Sequence, residues 1–141
     1  MNLQSEFIPY EEAKELKHLG FNEKGLYSYA SETIGLLKEG EIFANPPTDS
    51  RFISAPTWRQ AFKFFREKYT LDSFVSFATI DDSTTAYVWN IVKYLPDGKD
   101  RAKDTWDFYD RIDSFQNMDW YDSNEEAELS CLKKLIKLAK Q

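Results

Sequence analysis

"SFVSFATI" (residues 73–80) and "AYVWNIVKYL" (residues 86–95) are dense in β-branched and aromatic residues, the types that fit a pleated, half-buried surface. Asp81, Asp82, Ser83, Thr84 and Thr85 stand between them, which reads as the loop of a hairpin. In the second run Tyr87, Trp89 and Ile91 alternate with Val88, Asn90 and Val92. Neither set is wholly polar, so this strand is expected to be central and covered on both faces. Beyond it, "PDGKD" (96–100) reads as a turn and "TWDFYDRIDSF" (105–115) as a further strand, with Trp106, Phe108 and Ile112 on one face and Asp110 interrupting.

Immediately before the hairpin comes "APTWRQAFKFFREKY" (55–69), which raises the choice between a base-stacking surface and a core helix. With Pro56 as the first helical residue, Trp58, Phe62, Phe65 and Tyr69 fall within a sector roughly 60° wide. Ala61 adjoins them, so the four rings are expected to face a core. Phe64 lies off this stripe. Arg59 and Arg66 run along one edge of it, roughly 10 Å apart at the helical rise, with Lys63 beyond and Glu67 on the opposite face.

The two ends of the chain carry the clearest punctuation. Pro9 to Leu19 reads as a helix: proline suits its first position, and Glu11, Glu12 and Glu15 lie toward the positive end of its dipole. Gly20 then stands where a left-handed residue closes a helix, with Phe21 placed to fold back on Leu16. At the other end Ser123 and Glu126 form a capping box. Ala127, Cys131, Leu135 and Leu138 make the apolar stripe of the helix that follows, and Lys133, Lys134, Lys137 and Lys140 gather toward its negative end. Between residues 26 and 43, "LYSYA" alternates as a strand does. "TIGLLKEGEIF" is expected to be its hairpin partner, since Gly35 and Gly40 would each cost a helix roughly 1 kcal/mol. "NPPTDS" (45–50) is a loop whose flanks are too short for separate domains. The fold expected is α+β, a small and mainly antiparallel sheet covered by three helices at about 9–19, 56–69 and 124–140. Residues 1–141 are expected to form a single globular domain.

Composition narrows the function classes. The 141 residues are 42% hydrophobic and 30% charged, the balance of a globular chain. A net charge of −6 argues against duplex nucleic acid as a partner, because phosphate binding needs a basic footprint. Cys131 is the only cysteine, which excludes an intramolecular disulfide and suits a reducing compartment. The N-terminal stretch has no signal-peptide character, and no apolar run is long enough to span a bilayer. A cytoplasmic protein without a membrane partner is expected.

Catalytic patterns are scarce. A nucleophilic Cys131 would need His18, the only histidine, yet His18 falls opposite Ala13 and Leu16 on its helix and Cys131 lies on an apolar stripe. Asp97, Asp100, Asp104, Asp107, Asp110 and Asp113 recur through one region but lack the order of a calcium loop, and Lys99, Arg101 and Lys103 interleave with them. There is no glycine-rich phosphate loop, CxxC pair or GxSxG elbow, so no catalytic residue, metal ligand or cofactor is assigned. The supply of rings and guanidinium groups outside the core stripes includes Tyr27, Tyr29, Trp120 and Tyr121. The set singled out for ligand or partner binding is Arg59, Arg66, Phe64, Trp106 and Tyr109, residue types that carry interface hot spots and also stack on purines.

Three stretches, "FIPYEEAKELKHLGF" (7–21), "WRQAFKFFREKY" (58–69) and "EEAELSCLKKLIKL" (125–138), resemble small uncharacterised proteins of bacteriophages and prophages, especially those of Bacteroidetes-like hosts. The shared features are Phe-x-Pro-Tyr with a closing Leu-Gly-Phe, Gln-Ala-Phe with Phe-Arg-Glu-Lys-Tyr, and Glu-Ala-Glu-Leu with Cys-Leu-Lys-Lys-Leu-Ile. The resemblance implies a mobile-element setting and transfers no catalytic residue. It leads to the expectation of a non-enzymatic phage accessory protein that binds a host component in the host cytoplasm, as a counter-defence factor acting on a host protein or sequestering a nucleotide-type signal. A metal-dependent hydrolase or nuclease using the aspartates of 97–113, and a virion structural or assembly component, are the alternatives. Homo-oligomerisation is left open.

Overall fold

A computed structural model of the chain describes residues 3–23, 27–31, 35–38, 53–79, 85–94, 111–116 and 121–141. The expected α+β class is present: the described residues form three α-helices and two antiparallel sheets of three strands each. The strand-rich halves of the sequence therefore build two separate ladders rather than one. Contacts gather the described residues into two compact units, and the boundary falls between Ala61 and Phe62.

The N-terminal unit opens with a 3₁₀ turn, Leu3–Glu6, and helix α1, Tyr10–His18. Its sheet has the order β2-β1-β3, from strands β1 (Tyr27–Ser31), β2 (Gly35–Lys38) and β3 (Ile53–Ser54). Gly35 thus belongs to a strand, as expected, while residues 39–52, with Gly40 and the "NPPTDS" loop, lie outside the described residues. α1 ends as its sequence requires. Gly20 takes a φ of 104°, the Phe21 N–H donates to the Leu16 carbonyl at 2.9 Å, and the Gly20 N–H donates to that of Lys17 at 3.1 Å. Both bonds of the Schellman closure are made, and Leu16 and Phe21 are buried.

Helix α2, Trp58–Tyr69, starts later than the proline suggests. Thr57 is its cap: the Gln60 N–H donates to Thr57 Oγ1 at 3.2 Å, and the Thr57 N–H donates to Gln60 Oε1 at 2.9 Å. This is a reciprocal capping box in "TWRQ", and it overrides the preference of Pro56 for a first helical position. Pro56 instead lies in the preceding extended segment, where its carbonyl accepts from the Ile8 N–H at 3.0 Å.

In the C-terminal unit α2 runs into the long hairpin. Strand β4 (Leu71–Thr79) pairs with β5 (Thr85–Tyr94), which pairs with β6 (Arg111–Gln116), so β5 is central. Helix α3, Asn124–Ala139, lies against β5 and β4. The Glu126 N–H donates to Ser123 Oγ at 3.2 Å, the hydroxyl half of the expected capping box. Trp89 donates through Nε1 to Ser130 Oγ at 3.0 Å, and the Tyr121 hydroxyl meets the same oxygen at 2.6 Å. Ile91, Leu132 and Leu135 are fully buried within this unit.

Candidate functional site

The aromatic helix separates into a buried line and a charged arc. Phe65 has no exposed surface, and Ala61, one turn earlier, is also buried. Trp58, Phe62 and Tyr69 are only half-buried, so of the four rings expected in the core, Phe65 alone reaches it fully. Trp58 shows one reason: its Nε1 donates to the Ser5 carbonyl at 3.1 Å, which holds the polar edge of the indole near the surface.

Within residues 62–69 of α2, the exposed positions are Lys63, Arg66, Glu67 and Lys68. Every one is charged, with three cations to a single carboxylate. Lys63 meets Glu67 at 3.8 Å and Arg66 meets Asp72 at 3.9 Å, with each side chain about half exposed. Pairs of this length and exposure contribute little to stability, so a well-placed external anion can compete for the cations. Arg66 therefore has an acidic neighbour, but it comes from β4.

Phe64 is the half-buried ring on the solvent side of the same helix. It stands edge-on to Phe65 at 5.3 Å and to Tyr69 at 5.8 Å between centroids. The Lys68 ammonium lies 5.6 Å from the centroids of both Phe64 and Tyr69, a cation–π arrangement that fixes the lysine over its own helix. The helical step puts Phe64 and Arg66 about 160° apart, so the predicted ring and the predicted guanidinium sit at different parts of the arc rather than around one point. Arg59 is exposed in the first turn of α2, within the N-terminal unit. Trp106 and Tyr109 lie outside the described residues, as do Trp120 and the aspartates of 97–110.

The turn that follows is strained. Thr70 has a φ of 55°, a left-handed conformation that a β-branched residue adopts only at a cost. Its hydroxyl donates to the Tyr69 carbonyl at 2.6 Å. This residue links the end of α2 at Tyr69 to the start of β4 at Leu71 with no loop between them.

Other residues that bear on chemistry are placed as follows. Cys131 is fully buried. Burial pushes its thiol up to about 12, the Glu128 carboxylate adds to the rise, and a hydrogen bond with the Ser73 side chain partly opposes it. Such a thiol is a core group rather than a nucleophile. His18 is exposed on α1. Tyr29, counted among the free rings from sequence, is buried, and its hydroxyl donates to the Ile8 carbonyl at 2.6 Å. Burial raises its pKa, and the negative charge of Glu12 raises it further. Glu12 is itself buried; its i,i+4 relation to Leu16 was the available signal that it shares the inner face. Among the described residues no group of three or more His, Cys, Asp or Glu side chains is arranged to hold a metal ion, and no helix is long and apolar enough to cross a membrane.

Lys68 and the edge of β4 were missed by the sequence reading. Lys68 could have been found from its i,i+4 spacing to Phe64. Phe74 and Phe77, 55% and 61% exposed, lie within a run that carries no charged residue to mark an outer face. No protein-family model, curated protein or solved structure matches the chain.

Proposed function

We propose that the protein is a non-enzymatic phage accessory protein that binds a host component through the exposed arc of α2, acting as a counter-defence factor. The observation that carries this reading is the charge of that arc. Lys63, Arg66 and Lys68 face solvent with Glu67 as the only carboxylate among the exposed positions of residues 62–69, on a chain whose net charge is −6. A local positive surface on an acidic protein selects an anionic partner and steers it to one face. The half-buried Phe64, on the Lys68 flank of the arc, adds the apolar anchor that interfaces use alongside arginine. The three stretches that resemble phage proteins support the mobile-element setting.

A helix flank is convex, whereas small ligands are held in concave sites that enclose most of their surface. The arc therefore favours an acidic protein surface over a sequestered nucleotide. Arg66 can engage a carboxylate or phosphate bidentately, a stronger contact than its pair with Asp72 at 3.9 Å provides.

The test compares the parent with a variant carrying Lys63→Ala, Arg66→Ala and Lys68→Ala. Alanine favours the helix, so the denaturation midpoint should stay close to the parent's. Capture of host proteins by the immobilised chain should fall for acidic partners and weaken with added salt. Capture unchanged by the triple substitution would remove the arc from consideration, and retention of a nucleotide in place of a protein would select the sequestering function.

A further inference from the structure

We infer that β4 pairs with β4 of a second copy of this chain, joining two sheets into one across a two-fold axis beside Phe77. The inference is independent of the α2 arc.

Among the described residues, the backbone of β4 has one side committed and one side open. Tyr87, on β5, donates its N–H to the Tyr121 carbonyl at 2.9 Å and accepts from the Tyr121 N–H at 3.1 Å. Both of its backbone groups are thus turned away from β4. Phe77 stands opposite Tyr87 in the ladder, so the two form a non-hydrogen-bonded pair, and the N–H and C=O of Phe77 point away from β5. By the alternation of an antiparallel ladder the same holds for Ser73, Val75 and Thr79. Ser73 agrees: its N–H donates to its neighbour Asp72 Oδ1 at 3.0 Å. Among the described strands β4 has no partner on that side.

Exposed edges are normally blunted by charge, proline or a bulge. Asp72 does this at the start of the strand, by taking the Ser73 N–H. Residues 73–79, "SFVSFAT", contain no charge, proline or glycine, and their pairing with β5 is regular throughout. Phe74 and Phe77 are exposed on this edge strand, and the Phe77 ring is supported from behind by Tyr87 at 5.3 Å. Such a segment is built to be covered.

The uncharged edge admits a second copy of the chain. Two copies of a chain with a net charge of −6 repel over most of their surfaces, and an uncharged segment lets identical faces meet without opposing like charges. The open groups also match themselves. With the axis at Phe77, Val75 of each copy stands opposite Thr79 of the other and the two Phe77 residues face one another. All three open positions are then used, in an isologous contact with a central aromatic pair. The Asp72 carboxylate lies outside this run of pairs.

Sedimentation equilibrium over a wide concentration range tests the inference, with two substitutions of the exposed Phe77. Phe77→Lys sets two ammonium groups opposite each other, and Phe77→Pro removes an N–H that points away from β5. The parent should reach twice the chain mass, and both variants should remain at the single-chain mass with an unchanged far-ultraviolet circular dichroism spectrum. A parent that stays monomeric at every concentration overturns the inference, which includes the case of a foreign strand on this edge. Variants that dimerise like the parent overturn it, because the contact then lies elsewhere. Variants that both unfold overturn the open edge on which it rests.

Discussion

Phe65 and Phe62 stand three residues apart on α2 and differ sharply in what surrounds them. Phe65 is fully buried while Phe62 is half-buried. Truncating a buried phenylalanine forfeits its transfer energy and leaves a cavity, at about 3–5 kcal/mol. Phe65→Ala should therefore lower unfolding free energy by about that amount, and Phe62→Ala by clearly less, as measured by urea denaturation. Equal losses would mean that both rings are enclosed alike. The sequence placed both on one stripe because the helical period sets direction around the axis but not how deep a neighbour covers each turn. Tyr29 and Glu12 went inside for a related reason. A tyrosine hydroxyl that finds the Ile8 carbonyl can be buried without penalty, and that partner is not visible in the local sequence.

Element by element, legibility followed local chemistry. The end of α1 was readable to the individual hydrogen bond because Leu16, Lys17, Gly20 and Phe21 make the closure among themselves. The start of α3 was readable from Ser123 for the same reason. The start of α2 was set two residues early, since the proline was given priority over the capping box formed by Thr57 and Gln60. Thr57→Ala should cost about 1 kcal/mol in thermal or chemical denaturation, whereas a helix starting at Pro56 would be indifferent to the change. The hairpin strands and the central position of β5 were legible from their β-branched and aromatic content. That the early strands form their own sheet was not, because strand partners are chosen over long sequence separations that a local pattern does not encode.

The molecule as a whole is an acidic chain that presents a basic arc on α2, with Phe64 on one flank of it. Of the site expected from sequence, Arg66 and Phe64 fall on that arc and Arg59 is exposed earlier on the same helix. Lys63 and Lys68 join them because exposure, which a sequence read alone does not supply, selects which charges of a helix face solvent. The most direct test is native mass spectrometry of the chain purified from host cells, run beside the Lys63→Ala, Arg66→Ala, Lys68→Ala variant. The parent should carry the mass of an anionic host component, and the variant, equally folded, should carry none. An identical retained mass on both proteins, or neither retaining anything under conditions that preserve weak complexes, would contradict the binding role of the arc.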